Sequence, residues 1–196
     1  MALVVGLLGS LFCLASAHGQ TKHLKNKLAT YDDRDGYEVL SVLLNAQSDK
    51  WKNETITIDP RTPLGRAVAE IKAECSGIPA EFQAASEDFD RKVQTRLLLR
   101  KGFSLRKNYE LGYASSTIAA EQPRNKEEIR KRIRSGTYHV AAVGFDDKRT
   151  RAIAFVEYVC GNLCGNSLFY YLRKSEKGWE EAREVQREVL RCGRIY

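Results

Sequence analysis

The chain has 196 residues, 43% of them hydrophobic, and 32 Lys and Arg against 25 Asp and Glu give a formal charge of +7. That length holds one domain with a substantial core and excludes two comfortable ones. The charge draws anionic partners such as envelope polymers or phospholipid headgroups, but no aromatic stacking platform or docking motif accompanies it, which excludes a specific nucleic-acid reader.

Residues 1–17 are uncharged and strongly apolar and end in Ala15-Ser16-Ala17, the small-x-small pattern a signal peptidase accepts. The mature chain is therefore expected to begin at His18. A membrane anchor would need roughly 20 apolar residues, whereas this run is broken by Gly6, Gly9 and Ser10 and followed by polar His18-Gly19-Gln20. Cys13 follows bulky Leu11 and Phe12, so it reads as part of the leader and not as a lipidation site. The expectation is export, to the periplasm or the medium, with no transmembrane segment once the leader is removed.

Residues 18–35 are polar and charged and predict a flexible arm, which leaves 36–196 as a single α+β domain. Asp35 and Glu38 form a capping pair for a helix through Ala46 with Tyr37, Leu40, Leu43 and Leu44 facing the core. The Asp32-Asp33-Arg34-Asp35-Gly36 cluster fails as a calcium loop, because its first ligand position would be Tyr31 and its twelfth Ser41 or Val42. Residues 54–59 alternate around Ile56 and Ile58 as a short strand ended by Pro60 and Pro63. Asn53-Glu54-Thr55 matches a glycosylation acceptor.

The pattern predicts a helix over 64–75, stopped by Gly77 and Pro79, and a longer one over 80–99 with Phe82, Ala85, Phe89, Val93 and Leu97 inward and Arg91, Lys92, Arg96 and Arg100 outward. Residues 109–120 are weakly patterned. Asn125 and Glu128 cap a helix through Ser135, with Ile129 and Ile133 inward and Gly136 as the stop. It carries the most basic run, Arg130, Lys131, Arg132 and Arg134, with Glu127 and Glu128 spaced to pair with Lys131 and Arg132. Residues 138–145 and 152–160 are apolar on both faces and predict a hairpin; 168–172 makes a third strand and 175–178 a turn. Residues 179–192 fit a helix by period and a strand by position in a meander.

Past the leader the cysteines are Cys75, Cys160, Cys164 and Cys192, an even number that allows three pairings. The glycines of Cys160-Gly161-Asn162-Leu163-Cys164-Gly165 let the chain fold back, which makes the local Cys160–Cys164 bridge the economical pairing and leaves Cys75 for Cys192. Cys-x3-Cys is not the spacing of a dithiol redox centre, and no nearby His completes a metal cluster.

Val143-Gly144-Phe145-Asp146, residues 152–158, the double Cys-Gly, Phe169-Tyr170-Tyr171-Leu172 and Gly178-Trp179 together resemble a group of uncharacterised exported bacterial proteins, over roughly the C-terminal third, with a fainter echo in 36–45. The resemblance implies consecutive strands with a last one after Gly-Trp, and on that ground 179–192 is taken as a strand. It carries no activity with it. The strongly charged tail 180–194 departs from the pattern.

The expected architecture is thus N-terminal helices packed on a C-terminal antiparallel β-meander, curved in the manner of nuclear-transport-factor-2-like or cystatin-like sheets. An N-terminal His18 would supply half of a copper brace, as in secreted polysaccharide-cleaving monooxygenases, but the second histidine would have to be His23 or His139 and nothing else matches. A Ser-His-Asp site would have to run through His139, and no Gly-x-Ser-x-Gly turn presents a nucleophile. No catalytic residue, cofactor or metal is assigned. The expected function is a non-catalytic binding or interaction module of the envelope or extracellular space, for an anionic envelope component or a small ligand. The alternative is an enzyme whose sheet-lined pocket holds His139 or paired acids.

Overall fold

The structure is a computed structural model describing residues 28–63, 65–73, 77–112, 125–161, 164–188 and 193–195. In chain order the elements are β1 (Ala29–Thr30), α1 (Arg34–Trp51), β2 (Ile56–Ile58), α2 (Gly65–Ala73), a 3-10 turn at Ala80–Phe82 that leads into α3 (Gln83–Lys92), β3 (Leu97–Leu98) and β4 (Tyr109–Leu111). They continue with α4 (Lys126–Arg134), β5 (Thr137–Val140), β6 (Gly144–Phe145), β7 (Arg151–Gly161), β8 (Cys164–Ser175), β9 (Gly178–Glu181), α5 (Arg183–Glu188) and β10 (Gly193–Ile195). The protein is mixed α+β around a curled sheet.

Period-two alternation in the β7–β8 hairpin sends apolar side chains to both faces. Ala152, Ala154, Val156, Tyr158, Cys160, Tyr170 and Leu172 join Val39, Leu40, Leu43 and Leu44 of α1 in one core. Ile153, Phe155, Phe169 and Tyr171 join Val68 and Ile71 of α2, Phe82, Ala85 and Phe89, and Val185 of α5 in a second core on the opposite face. Both faces are covered by helices, as a two-sided apolar hairpin requires.

The sheet runs β10-β8-β7-β5-β2-β4, with β6 beside β7 and β9 beside β8. The stretch β5, β7, β8, β9 is antiparallel as expected, but β2 pairs in parallel with both β5 and β4, so the sheet is mixed and draws two strands from upstream of the C-terminal meander. A separate parallel pair joins β1 to β3.

Several predicted boundaries move. The arm expected over 18–35 ends earlier: Thr30 pairs with Leu98, Tyr31 is 4% exposed, and Asp33, not Asp35, caps α1 through Gly36 N–H at 3.2 Å. The helix expected over 80–99 stops at Lys92 because the next residues are claimed by sheet-like pairing. Leu97 N–H donates to Thr62 Oγ1 at 2.8 Å, Thr62 N–H to Leu97 O at 3.0 Å, and Leu99 N–H to Pro60 O at 2.7 Å. The strand expected over 138–145 breaks at 141–143, where Val143 N–H turns to the buried Tyr31 hydroxyl at 3.2 Å. The last segment is both alternatives in turn: a strand over Gly178–Glu181, then a helix over Arg183–Glu188.

The Val143-Gly144-Phe145-Asp146 block is where the parts lock together. Gly144 lies so close to α3 that a Cβ there would meet the carbonyl of Ala85 and stand 2.5 Å from Phe89. Phe145 N–H donates to Asp88 at 2.9 Å, and the Phe145 ring lies under Arg149 at 4.1 Å and beside Lys92 at 5.1 Å and Trp179 at 5.4 Å. Asp146 folds the turn by accepting from Thr150 N–H at 2.6 Å and Arg151 N–H at 2.8 Å. Arg149, left-handed at φ 53°, forks onto Asp33 and Asp35 of the α1 start, and Lys92 reaches Asp88 at 2.7 Å and the Val143 carbonyl at 2.9 Å.

Burial alone would raise the carboxyl of Asp35, yet the Arg149 hydrogen bond and the Lys174 charge outweigh it and hold it below its ordinary value. At Asp88 burial is likewise outweighed by Lys92 and the Phe145 amide. At Asp146 it is outweighed by the Arg151 and Thr150 donors.

Gly144→Ala is expected to cost about 2 kcal/mol or more, since overpacking meets backbone here and not a flexible side chain; urea denaturation reads it. The depressed carboxylates add stability that is complete above the unfolded range near ~4 and is lost as pH falls through their lower folded values. Removing the Arg149 fork by Arg149→Met should therefore flatten the fall in urea midpoint between about pH 5 and pH 3.

Candidate functional site

On the face shared with α2 and α3 the apolar surface ends at Phe155 and Phe169, and the next positions on that face are polar. Register places Asp59, just past β2, beside His139 of β5; His139 opposite Glu157 of β7; and Glu157 opposite Ser167 of β8. His139 Nδ1 stands 3.6 Å from Asp59 Oδ2, and Ser167 Oγ donates to Glu157 Oε1 at 2.8 Å. Asp59 also accepts from Arg61 N–H at 2.8 Å. The row has the ingredients of acid–base chemistry, an imidazole oriented by a carboxylate with a second carboxylate across the strand. Its groups are largely turned on one another, however: the Ser167 side chain is fully buried and its hydroxyl proton is already given to Glu157.

Two residues back along β2 from Asp59, about 7 Å on the same face, Thr57 borders an open cleft of about 870 Å³. Its walls are Glu54, Thr55 and Thr57 at the start of β2, Glu110 of β4, and Glu127, Arg130, Arg134 and Ser135 of and just after α4. Thr57 Oγ1 donates to Glu110 Oε1 at 3.1 Å. The cap expected for α4 is present, with Glu128 N–H donating to Asn125 Oδ1 at 2.9 Å. Arg130 and Arg134, spaced one turn apart, share a helix face. Neither guanidinium has a carboxylate within 4.0 Å among the described residues. That sets them apart from Arg149, Arg151 and Arg173, which are all paired.

The position of α4 is set by a buried polar hub. The left-handed Lys52 ends α1, and Asn53 N–H returns to Ser48 O at 3.0 Å, which turns the Asn53 side chain inward. Its Nδ2 donates to the Arg134 carbonyl at 2.7 Å and to the Tyr158 hydroxyl at 2.9 Å, and its Oδ1 accepts from the Tyr138 hydroxyl at 2.9 Å. Gly136 N–H also donates to the Tyr158 hydroxyl at 2.9 Å, and a Cβ at Gly136 would stand 2.5 Å from that ring. Burial pushes the Tyr158 and Tyr138 hydroxyls up from their ordinary value, so both stay neutral.

Other sequence candidates fall out differently. Cys160 and Cys164 are bonded to each other at the β7–β8 end, with Cα atoms 5.1 Å apart. Cys75, Cys192, His18, His23 and the leader lie outside the described residues, as do the side chains of Ile129, Lys131, Arg132 and Ile133. The glycosylation motif is closed in the folded chain, because Asn53 is 1% exposed and its amide is spent on the hub. The outward basic face of the predicted 80–99 helix is largely neutralised: Arg91 and Lys92 pair with Asp88, and Arg100 with Asp32. Among the described residues no three His, Cys, Asp or Glu are grouped to hold a metal ion, and no helix is long and apolar enough to cross a membrane.

Asp59, Glu157, Ser167 and Glu110 were not singled out by sequence. Glu157 and Ser167 carried a signal, as polar breaks in otherwise apolar strands; the parallel β2–β4 pairing that brings Glu110 to the cleft carried none. Comparison with known proteins gives no match to a family model, to a curated protein or to a solved structure.

Asn53→Ala would strand the Tyr138 hydroxyl and the Arg134 carbonyl in a buried site. The expected loss is about 3 kcal/mol in chemical denaturation, whereas Asn53→Ser should recover part of it.

Proposed function

We propose that the protein is an exported, non-catalytic binding module of the periplasm or extracellular space that holds a small zwitterionic solute in the cleft between the β2–β4 edge and α4. The observation that carries this reading is the pair of guanidinium groups of Arg130 and Arg134, without an ion-pair partner among the described residues, which line an open polar cleft together with Glu127 of the same helix and Glu54 and Glu110 of the β2–β4 side. Two cations and three carboxylates complement a ligand with a carboxylate at one end and ammonium groups at the other, as in a short peptide containing lysine. An apolar partner is disfavoured, because Leu98 is the one large hydrophobic side chain exposed among the described residues. The leader ending at Ala17 and the Cys160–Cys164 bridge support export. In this reading the curled sheet is a cup of the nuclear-transport-factor-2-like or cystatin-like kind. The C-terminal block belongs with the uncharacterised exported bacterial proteins it resembles.

A second reading, an enzyme, is favoured by the Asp59–His139 pair on the same face. In that case bound dipeptide would be converted, and His139→Asn would abolish conversion without abolishing binding.

The test is calorimetric titration with the dipeptide alanyl-lysine. Binding on the order of 0.1 mM is expected, and it should weaken about thirtyfold in Arg130→Ala/Arg134→Ala, since the variant removes two charge-assisted contacts worth about 1 kcal/mol each in an open site. The acetylated, amidated dipeptide should not bind. Equal affinity in the double variant would refute the assignment.

A further inference from the structure

The cleft sits at the end of a chain of contacts that starts at the disulfide. Cys160 and Cys164 close the end of β7–β8, where the register shifts between Val159 and Gly161. Gly165, next to Cys164, approaches the Tyr158 carbonyl so closely that no side chain would fit. Two residues from Cys160, on the same face, Tyr158 stacks on Trp51 with ring centroids 5.7 Å apart and packs on Tyr138 at 4.5 Å. Its hydroxyl receives Gly136 N–H and Asn53 Nδ2, and the same Asn53 nitrogen holds the Arg134 carbonyl. The place of the Tyr158 ring therefore sets the last turn of α4, and with it Arg130 and Arg134.

We infer that forming the Cys160–Cys164 bond completes the cleft, so that the protein gains binding competence by oxidation. The two thiols lose two protons and two electrons to a disulfide-bearing oxidoreductase or a small-molecule disulfide, whose own sulfur–sulfur bond is reduced to two thiols as the Cys160–Cys164 bond forms. With the bond open, the strand ends around the bulge are freed to separate, Tyr158 loses its fixed position, and the Gly136 and Arg134 hydrogen bonds are weakened. This inference rests on the cleft being the binding site, but its first consequence does not involve a ligand. It concerns the Gly136 amide, whose partner is Tyr158.

Amide hydrogen exchange by NMR on the full mature chain tests it, comparing oxidised protein, the same protein after dithiothreitol, and Cys160→Ser/Cys164→Ser. Exchange at Gly136 should speed up about tenfold in both open forms, while the amides of Ile153 and Tyr171, in the middle of the hairpin, keep their protection. The affinity for alanyl-lysine should fall about fivefold in parallel. Unchanged Gly136 exchange would overturn the inference. So would loss of protection at Ile153 and Tyr171 together with Gly136, since the bond would then hold the whole sheet and not the cleft. If Gly136 responds but oxidised protein does not bind the dipeptide, the coupling of bond to helix stands and the ligand assignment fails.

Discussion

The structure depends on the two-sided β7–β8 hairpin. Eleven and twelve residues long, its strands are apolar on alternate positions of both faces, so neither face can be left to water. α1 covers one side and α2, α3 and α5 the other, and every other strand of the main sheet attaches directly or through β5 to a hairpin edge. On the face shared with α2 and α3 the apolar alternation stops at Glu157 and Ser167, although Ser167 itself stays buried. The polar row continues that face from there, and the open cleft lies beyond it.

Covering both faces creates a second demand, because a helix on each side must be kept in register with the same hairpin. Phe145 and the charges around it meet that demand. Arg149 holds the start of α1, Lys92 and Asp88 hold α3, and Lys174 and Trp179 bring in the far end of β8 and β9, all about one aromatic ring. Burial in the middle of such a network would penalise a lone carboxylate, but each acid here has a cation or amide donor, which is the condition under which buried charge is tolerated. Each residue of the Gly144-Phe145-Asp146 block has a structural part in this: Gly144 permits close approach, Asp146 makes the turn, and Phe145 is the hub.

Much of this was legible in the residues. The hairpin showed as two apolar runs around a turn, α4 as the Asn125–Glu128 cap with Gly136 after it, and the local cysteine pair as a loop rich in glycine. What was hidden has a common cause. Asp33 and not Asp35 caps α1 because the helix already starts at Arg34, which places Asp35 in its first turn, and α3 stopped short because Thr62 and Pro60 capture the backbone of Leu97 and Leu99. Parallel pairing of β2 with β4 joins residues more than fifty positions apart and leaves no local mark. The cleft was missed for the same reason. Arg130 and Arg134 read as an ordinary basic helix face until β4 brings Glu110 to the same cleft and no carboxylate of the described residues pairs with them.

The hairpin is thus expected to be the last part of the molecule to open, with α1 and α3 clamped to it and α4 only hung from it by Asn53 and Tyr158. Native-state hydrogen exchange with mass spectrometry, following peptides across the oxidised chain under increasing denaturant, measures that order directly. The expected result is that peptides from 151–161 and 164–175 exchange only through global unfolding, those from α1 and α3 next, and α4 far earlier. Helix peptides that outlast the hairpin, or an α4 as well protected as β7, would contradict it.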